Sequence, residues 1–299
     1  MIRALTVLAS TLRGDARACE RERIAGVDAL VARPRRNSGP VVVYANAMTP
    51  LGVEQPAVGR FLSGLAGAGF VAIAPELPHV RKGEVTPETI DALVRVARAA
   101  GPHVALVGAS TGAGLAILAA GDSRIADRVT AVAAIAPFAS LRSLLRLGTT
   151  GYYGNRPFEA APLVGVAASR SLSASAPDDR AVPTLLANRD PGRFDALYDA
   201  LQPTTRTLVE ELSPLTRIGD VLAPVELASA PDDTFFPVDE SRALADAGRD
   251  VRLTVTSALL HVCPRPRPGI VRVVGVLDRT LRRAAATEQS VPALRPSVA

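Results

Sequence analysis

The chain of 299 residues contains no tryptophan, two cysteines, three histidines and a single lysine, Lys82. Cys19 and Cys263 are too few for a disulfide framework, and no metal-ligand spacing surrounds either of them. We therefore expect a reducing compartment, the cytoplasm, and no bound metal ion. No apolar run approaches the roughly 18 residues that cross a bilayer, so the sequence predicts no membrane span.

The formal net charge is +5 and the sequence pI is about 9.8. Nearly all of the basic residues are arginines, and they are spread along the chain rather than gathered into a block. This distribution indicates a solvated basic surface and no nucleic-acid partner. The length and the 48% hydrophobic content suit one large α/β domain, or a core with a smaller insertion.

The N-terminal segment combines features of a signal peptide with features of an amphipathic helix. An apolar stretch from Ala4 to Leu12 precedes Ala16-Arg17-Ala18, which resembles a signal-peptide cleavage site. Arg13 and Asp15 interrupt that pattern, and the same residues suit a short amphipathic helix. We expect the helix, with secretion as the alternative.

Strands and helices alternate over the first half of the chain. Apolar runs predict strands, and small-residue or capped stretches between them predict helices. The strands are expected at 27–32, 41–45, 70–74, just before residue 110 and at 129–136, with helices over 55–68, 86–100 and 111–120. Repeated units of this length predict a parallel sheet with right-handed crossovers.

This alternation stops at residue 138 and resumes after residue 213. The intervening residues form short amphipathic pieces broken by glycine and proline, with no convincing buried strand. Afterwards we expect strands at 225–230 and 251–256 and helices at 238–247 and 269–286. The sequence therefore predicts three parts: core residues 1–137, a mostly helical insertion of residues 138–213, and core residues 214–299.

Residues 108–112 read Gly-Ala-Ser-Thr-Gly, between an apolar strand and a helix of small residues. Ser110 on a sharp strand-to-helix turn would lie at the top of the sheet. The glycines at 108 and 112 would let the strand and helix pass without a Cβ clash. The turn would also aim the amide of Thr111 at a developing oxyanion, so this context predicts a nucleophile.

A serine hydroxyl needs a base to take its proton, and the chain offers three histidines. His103 precedes the nucleophile strand, so we expect it at the opposite end of the sheet. His79 follows the strand that ends near Pro75 and would lie beside the mouth of the site. His261 follows the last predicted strand, at the carboxyl edge where ligands of α/β sheets bind, and we favour it as the base.

The carboxylate that orients such a base is expected between the serine and the histidine. Asp232 and Asp233 directly follow the strand at 225–230. We favour Asp233, four residues before Pro237, and assign Asp232 to the turn. A polar loop with turn-forming aspartates would explain either residue alone, but it would not explain the Ser–Asp–His order at successive strand ends.

These motifs resemble those of the α/β-hydrolase superfamily, over roughly residues 26–137 and 214–299. The resemblance rests on Gly108–Gly112, on Ala230–Pro237 and on Leu260-His261. It implies an α/β fold with a mostly parallel sheet flanked by helices, and it makes the insertion a cap. It also implies that Ser110 is the nucleophile, His261 the general base and Asp233 its orienting carboxylate.

The chain departs from the superfamily pattern in two places. Many relatives have His-Gly after the strand that ends here in Ala45-Asn46-Ala47-Met48. The first oxyanion donor would then be the amide of Ala47 or Met48, acting with that of Thr111. The Asn46 side chain is either a further donor or a structural hydrogen bond of the loop. Leu260 also replaces the frequent glycine before the base.

Aromatic residues are scarce and gather in two places. Tyr152, Tyr153 and Phe158 lie in the insertion, and Phe235 and Phe236 follow the acid. They would either line an apolar substrate pocket, with His79 beside it, or pack the cap against the core. The absence of a Gly-Gly-Gly run argues against hormone-sensitive-lipase-like esterases, and the serine argues against haloalkane dehalogenases and epoxide hydrolases, which use aspartate.

Three functions remain open from the sequence. The first is a cofactor-free serine hydrolase that cleaves carboxylic esters, or thioesters, of small to medium apolar molecules. The second keeps the acyl-enzyme and passes the acyl group to another acceptor, as an acyltransferase or perhydrolase. The third is a non-catalytic binding member of the fold. The sequence makes no prediction of oligomeric state.

Overall fold

The computed structural model describes residues 1–13, 19–35, 38–158 and 161–289. Eight strands form the central sheet in the order β1-β2-β4-β3-β5-β6-β9-β10. Their bounds are β1 Glu20–Ile24, β2 Val27–Ala32, β3 Val41–Ala45, β4 Val71–Pro75, β5 Val104–Ala109, β6 Val129–Ile135, β9 Val225–Ser229 and β10 Val251–Val255. Two short hairpins complete the strands: β7 Tyr152–Tyr153 with β8 Arg156–Pro157, and β11 Leu259–Leu260 with β12 Cys263–Pro264.

The sheet is parallel from β4 to β10 and antiparallel at the β1–β2 edge. The sequence analysis predicts no strand before Val27, so β1 is a finding of the structure. Its residues, Glu20-Arg-Glu-Arg-Ile24, are mostly exposed and charged, as an unpaired sheet edge requires. Ala25 and Gly26 have φ angles of 49° and 81°, which is the backbone of a tight hairpin turn.

Helices cover both faces of the sheet. They are α1 Ile2–Arg13, α2 Pro56–Gly67, α3 Pro78–Arg81, α4 Pro87–Ala100, α5 Thr111–Ala120, α6 Leu141–Thr150, α7 Ala161–Ser175, α8 Val182–Ala187, α9 Phe194–Asp199, α10 Pro203–Glu211, α11 Pro214–Arg217, α12 Val238–Ala247 and α13 Ile270–Gln289. Those outside residues 138–213 match the predicted helices to within a few residues, except the short α3 and α11. None of the helices in the described part of the chain is both long and apolar enough to cross a bilayer.

Successive side chains of β5 point to opposite faces of the sheet and contribute to two separate hydrophobic clusters. Val107 belongs to the same hydrophobic cluster as Leu62 of α2 and Leu281 of α13, while Leu106 belongs to a second cluster, which contains Leu93 of α4. Every residue of β5 is buried, as expected for a central strand covered on both faces. The strand that leads to Ser110 is therefore held by packing on both of its faces.

The N-terminal residues form the expected helix. Ala4 and Val7 of α1 are buried, and α1 packs against α2 where Gly64 allows a close approach. A Cβ on Gly64 would lie 2.9 Å from the Val7 carbonyl oxygen, so a larger residue would push the helices apart. The Ala16–Ala18 segment lies outside the described residues.

Within residues 138–213, the described part of the chain forms α6 to α10 and the small β7–β8 hairpin. Helices α6 and α7 cross where Gly148 meets Gly165, and a Cβ on either residue would overlap the backbone of the other. Leu145, Leu172 and Phe194 of this region belong to the same hydrophobic cluster as the α4 face of the sheet. The insertion is thus packed onto the core rather than separated from it.

One buried carboxylate connects the later helices of the insertion. Asp179 is 5% exposed and accepts hydrogen bonds from the amides of Ala181 (2.9 Å) and Gln202 (2.8 Å). These residues precede α8 and α10, so Asp179 joins the two helix starts. Burial acts to raise the pKa of Asp179, but these amides and the Thr205 hydroxyl outweigh it and the pKa lies below its ordinary value.

Candidate active site

Ser110 occupies the turn between β5 and α5 in a strained backbone conformation. Its φ and ψ are 54° and −123°, a region that L-residues rarely adopt. The turn is held because the Ser110 amide donates to the Ile135 carbonyl at 2.8 Å. A Cβ on Gly108 would overlap the Gly112 carbonyl, and one on Gly112 would overlap the Ala45 carbonyl. Both glycines are therefore required by local sterics.

His261 lies in the turn of the β11–β12 hairpin, with a φ of 51°. Its Nε2 lies 2.7 Å from Ser110 Oγ, and its Nδ1 lies 2.9 Å from Asp233 Oδ2. The carboxylate can only accept, so the ring proton belongs on Nδ1 and leaves Nε2 free to accept from the serine hydroxyl. The arrangement can remove a proton from Ser110.

Asp233 follows β9 in a loop that fixes its carboxylate. Its side chain is fully buried, and Oδ1 accepts from the amides of Phe235 (2.8 Å) and Phe236 (3.0 Å). The rings of these phenylalanines pack around the imidazole of His261, with centroid distances of 4.6 and 5.6 Å. Asp232 is exposed, in keeping with its assignment to the turn.

The other two histidines lie elsewhere. His79 belongs to α3, where its Nδ1 lies 3.4 Å from Glu84 Oε2, and it does not line the cavity beside Ser110. His103 precedes β5 and is therefore at the opposite end of that strand from Ser110. Of the three histidines, only His261 is hydrogen-bonded to Ser110.

The loop after β3 faces the start of α5. Ala47, Met48 and Thr111 line the cavity with Ser110, and within the described ranges their amides have no hydrogen-bond acceptor in the protein. These amides, of which that of Thr111 lies at the N-terminus of α5, can stabilise an oxyanion. Asn46 also lines the cavity, but its Nδ2 donates to the Gly52 carbonyl at 2.8 Å, which is the structural loop bond of the two interpretations.

A cavity of about 650 Å³ opens beside Ser110 and His261. Its walls are mainly apolar and come from both the core and the insertion. They include Val58, Phe138, Leu141, Leu144, Val164, Phe235 and Phe236. Such a cavity holds a small to medium apolar group next to the hydroxyl of Ser110.

Tyr152, Tyr153 and Phe158 do not line this cavity, and Tyr153 and Phe158 pack against the hydrophobic core, which is the second of the two interpretations of these aromatic residues. Tyr152 and Tyr153 form β7, and the Tyr153 hydroxyl donates to Glu240 Oε1 at 2.8 Å. Tyr153 and Phe158 instead border a smaller cavity of about 270 Å³ on the other side of the acid loop. The buried carboxylate attracts the tyrosine hydroxyl, and burial together with the charge of Glu240 raises the pKa of Tyr153.

Glu240 connects α12, which follows the acid loop, to the start of the insertion. This buried carboxylate accepts from the amides of Ala139 (2.6 Å) and Ser140 (3.0 Å), from the Ser143 hydroxyl (2.6 Å) and from Tyr153. Sequence reasoning missed this role because an acidic residue in the first turn of a helix is common for reasons of helix capping alone. It also missed Arg81 and Arg170, which line the cavity and carry no motif.

No family model and no curated protein matches the chain. Its structure is similar to an acylaminoacyl peptidase from Pyrococcus horikoshii (TM-score 0.61, 14% identity, 94% of this chain and 44% of the peptidase). It is also similar to Est1E from Butyrivibrio proteoclasticus (TM-score 0.56, 15% identity, 90% of this chain and 100% of Est1E). A hormone-sensitive lipase from a metagenome library has a TM-score of 0.61 at 13% identity, with 95% of this chain and 92% of the lipase covered.

The chain therefore spans less than half of the peptidase and nearly all of the lipase. These likenesses confirm the predicted α/β-hydrolase fold, with its mostly parallel sheet flanked by helices. At such low identities they concern the fold alone. The similarity to the lipase is compatible with the absence of a Gly-Gly-Gly run in this sequence, because backbone architecture is shared far more widely than loop chemistry.

Proposed function

We propose that this protein is a serine hydrolase that cleaves carboxylic esters through an acyl-enzyme on Ser110. The observation that carries the proposal is the continuous hydrogen-bond chain from Ser110 Oγ through His261 to Asp233, beside an apolar cavity. Thioesters have the same reacting carbonyl and belong to the same proposal. Residues 138–213, which supply Leu144 and Val164 to the cavity wall, would act as a cap over the acyl or alcohol group.

In the first step, Ser110 Oγ attacks the ester carbonyl while its proton passes to His261 Nε2. The carbonyl oxygen becomes an oxyanion, which the amides of Thr111 and of Ala47 or Met48 would stabilise. Asp233 holds the Nδ1 proton of His261 and stabilises the imidazolium that forms. The carbonyl–alcohol bond then breaks, and His261 returns its proton to the departing alcohol.

Water completes the cycle. His261 takes a proton from water as the oxygen of water attacks the acyl carbon, and the bond to Ser110 Oγ breaks as His261 protonates that oxygen. The products are the carboxylic acid and the free serine. His261 passes the proton of Ser110 to the departing alcohol and then passes a proton of water to Ser110 Oγ. The proposed cycle therefore needs no other acid or base.

The proposal is tested with a fluorophosphonate probe and a series of p-nitrophenyl esters of increasing acyl length. Wild type should be labelled and should release p-nitrophenolate, whereas Ser110→Ala and His261→Ala should do neither. His79→Ala is the matched control, since this histidine lies away from the cavity and should leave the activity near that of wild type. An unlabelled, inactive wild type would overturn the proposal.

A further inference from the structure

The charged side chains that line the cavity are all of one sign. Among its lining residues in the described part of the chain, Arg81 and Arg170 carry the formal charges and no aspartate or glutamate is present. Apart from these arginines, the wall is mainly apolar. Such a cavity attracts a negatively charged ligand and offers no carboxylate to a positively charged one.

Both guanidinium groups are anchored by neutral acceptors. Arg81 Nε donates to the Pro50 carbonyl at 3.1 Å, and Arg170 Nη1 donates to the Lys82 carbonyl at 2.9 Å. A carbonyl orients an arginine without neutralising its charge, and each guanidinium has five N–H donors, so most donors stay available. The pair is thus oriented before any ligand arrives.

The nearest carboxylate to Arg81 is that of Glu76, and the two groups form an ion pair without a hydrogen bond. Glu76 Oε2 lies 3.9 Å from Arg81 Nη1, beyond hydrogen-bond distance, and accepts from the Val53 amide at 3.2 Å. Glu76 is also not a lining residue of the cavity. The ion pair offsets part of the charge of Arg81, but in the described part of the chain its Nη1 and Nη2 groups donate no hydrogen bond and can reach an incoming anion.

Arg170 lies close to the loop that would form the oxyanion hole. Arg170 Nη1 and Met48 Sδ both come near Gly83, at 3.2 and 3.6 Å from the position that a Cβ on Gly83 would occupy. Arg81 and Arg170 come from α3 and α7, so the core and the insertion each supply one of the cations. A ligand bound to both would span the join between these two parts.

We propose that the substrates are esters that also carry a carboxylate, with this group bound by Arg81 and Arg170 and the apolar chain against the cavity wall. This inference rests on the proposed serine hydrolase activity. Both arginines are exposed at one side, so water weakens the interaction and the expected preference is moderate. The preference should also fall as salt screens the charges.

The test uses two esters of equal chain length, mono-p-nitrophenyl suberate and its methyl ester, in which the carboxylate is masked. The measured quantity is the ratio of kcat/KM for the anionic ester over the neutral one. We expect this ratio to fall about threefold in Arg81→Gln or Arg170→Gln and about tenfold in the double variant. Arg180→Gln, an exposed arginine of the insertion that does not line the cavity, should leave the ratio unchanged.

A second pair of esters places the anion on the alcohol: 4-carboxyphenyl octanoate and its methyl ester. The pair whose ratio responds to the arginine variants identifies whether the acyl or the alcohol part carries the carboxylate. A wild-type ratio that persists in the double variant for both pairs would overturn the inference. If Ser110→Ala had meanwhile abolished turnover of the neutral esters, the hydrolase proposal would still stand.

A binding measurement decides the inference without turnover. Monomethyl suberate should bind Ser110→Ala in an NMR titration more tightly than dimethyl suberate, and adding the two arginine substitutions should remove the difference. Equal binding of the two compounds to Ser110→Ala would contradict the inference even if every ester were hydrolysed. Failure of the hydrolase proposal would instead show as absent turnover and absent fluorophosphonate labelling.

Discussion

Replacing Asp233 with asparagine should disable His261 through its tautomer, because of how the acid loop is built. Oδ1 of Asp233 accepts two backbone amides, from Phe235 and Phe236. In Asp233→Asn the amide oxygen must take that position, since an NH₂ group there would face two donors. The NH₂ group then replaces Oδ2 and points at His261 Nδ1.

His261 Nδ1 lies nearer to Oδ2 (2.9 Å) than to Oδ1 (3.1 Å), and a protonated Nδ1 would face the NH₂ group there, so we expect the ring proton to move to Nε2. Nε2 can then no longer accept the proton of Ser110. We expect kcat/KM to fall by about 1,000-fold to 10,000-fold, equivalent to about 4–5.5 kcal/mol of transition-state stabilisation. Stability should change little, because the two backbone amides keep an acceptor.

The assay combines ester kinetics with ¹⁵N NMR of the histidine side chains, which is readable because the chain has only three histidines. Wild type should show an unprotonated Nε2 on His261, and Asp233→Asn an unprotonated Nδ1. Asp232→Asn is the matched control and should retain wild-type kinetics, since this neighbour is exposed. Activity within tenfold of wild type in Asp233→Asn, with the tautomer unchanged, would refute the reasoning.

Three further predictions concern stability. Gly112→Ala should lower the free energy of unfolding by about 2 kcal/mol because its Cβ overlaps backbone oxygens, whereas Gly59→Ala, with open space around it, should be neutral or stabilising in thermal unfolding. Glu240→Gln should cost about 2 kcal/mol in urea unfolding because its NH₂ group would face the hydroxyl donors of Ser143 and Tyr153; Asp246→Asn on the exposed side of the same helix is its control. Asp179→Asn should cost about 2 kcal/mol at pH 7, and the difference from wild type should shrink as the pH falls below about 4.

The sign of that pH dependence follows from the lowered pKa of Asp179. A carboxylate with a lowered folded-state pKa stabilises the fold above its unfolded pKa, and this contribution is lost as the pH falls through the folded value. Denaturation curves at pH 7 and pH 3 would check it, and a constant difference between the two would contradict the assignment. For Gly112→Ala and Glu240→Gln, a control variant that loses as much free energy of unfolding would show that the named contact is not responsible.

The periodicity of apolar residues predicted the fold because it follows which side chains are buried. The apolar runs of β3 and β5 are typical of strands covered on both faces, and the intervening helices favoured a parallel sheet. The same reasoning missed β1, whose charged residues follow the needs of a sheet edge rather than those of a core. The hydrophobic pattern does not predict strands that have few buried side chains.

Some features of the candidate site could likewise be predicted from local sequence, and others could not. The nucleophile turn was readable because Ser110 needs small neighbours within two residues on either side, and those neighbours are adjacent in the chain. The partners of Ser110 were inferred from chain order, while the structure supplies the contacts themselves across 151 residues to His261. For Tyr152 and Tyr153 the sequence left pocket lining and cap packing open, and in the structure Tyr153 donates a hydrogen bond to Glu240 and does not line the cavity.

The fold class, the sharp turn at Ser110, and the acid and histidine at later strand ends could all be predicted from the amino-acid sequence. These depend on sterics and burial between near neighbours, which a local pattern records. Tertiary structure alone decided which walls surround the serine and how Arg81 and Arg170 come to line one cavity. That outcome depends on how α6 and α7 cross at Gly148 and Gly165 and on where the insertion meets the core, which are contacts between distant segments.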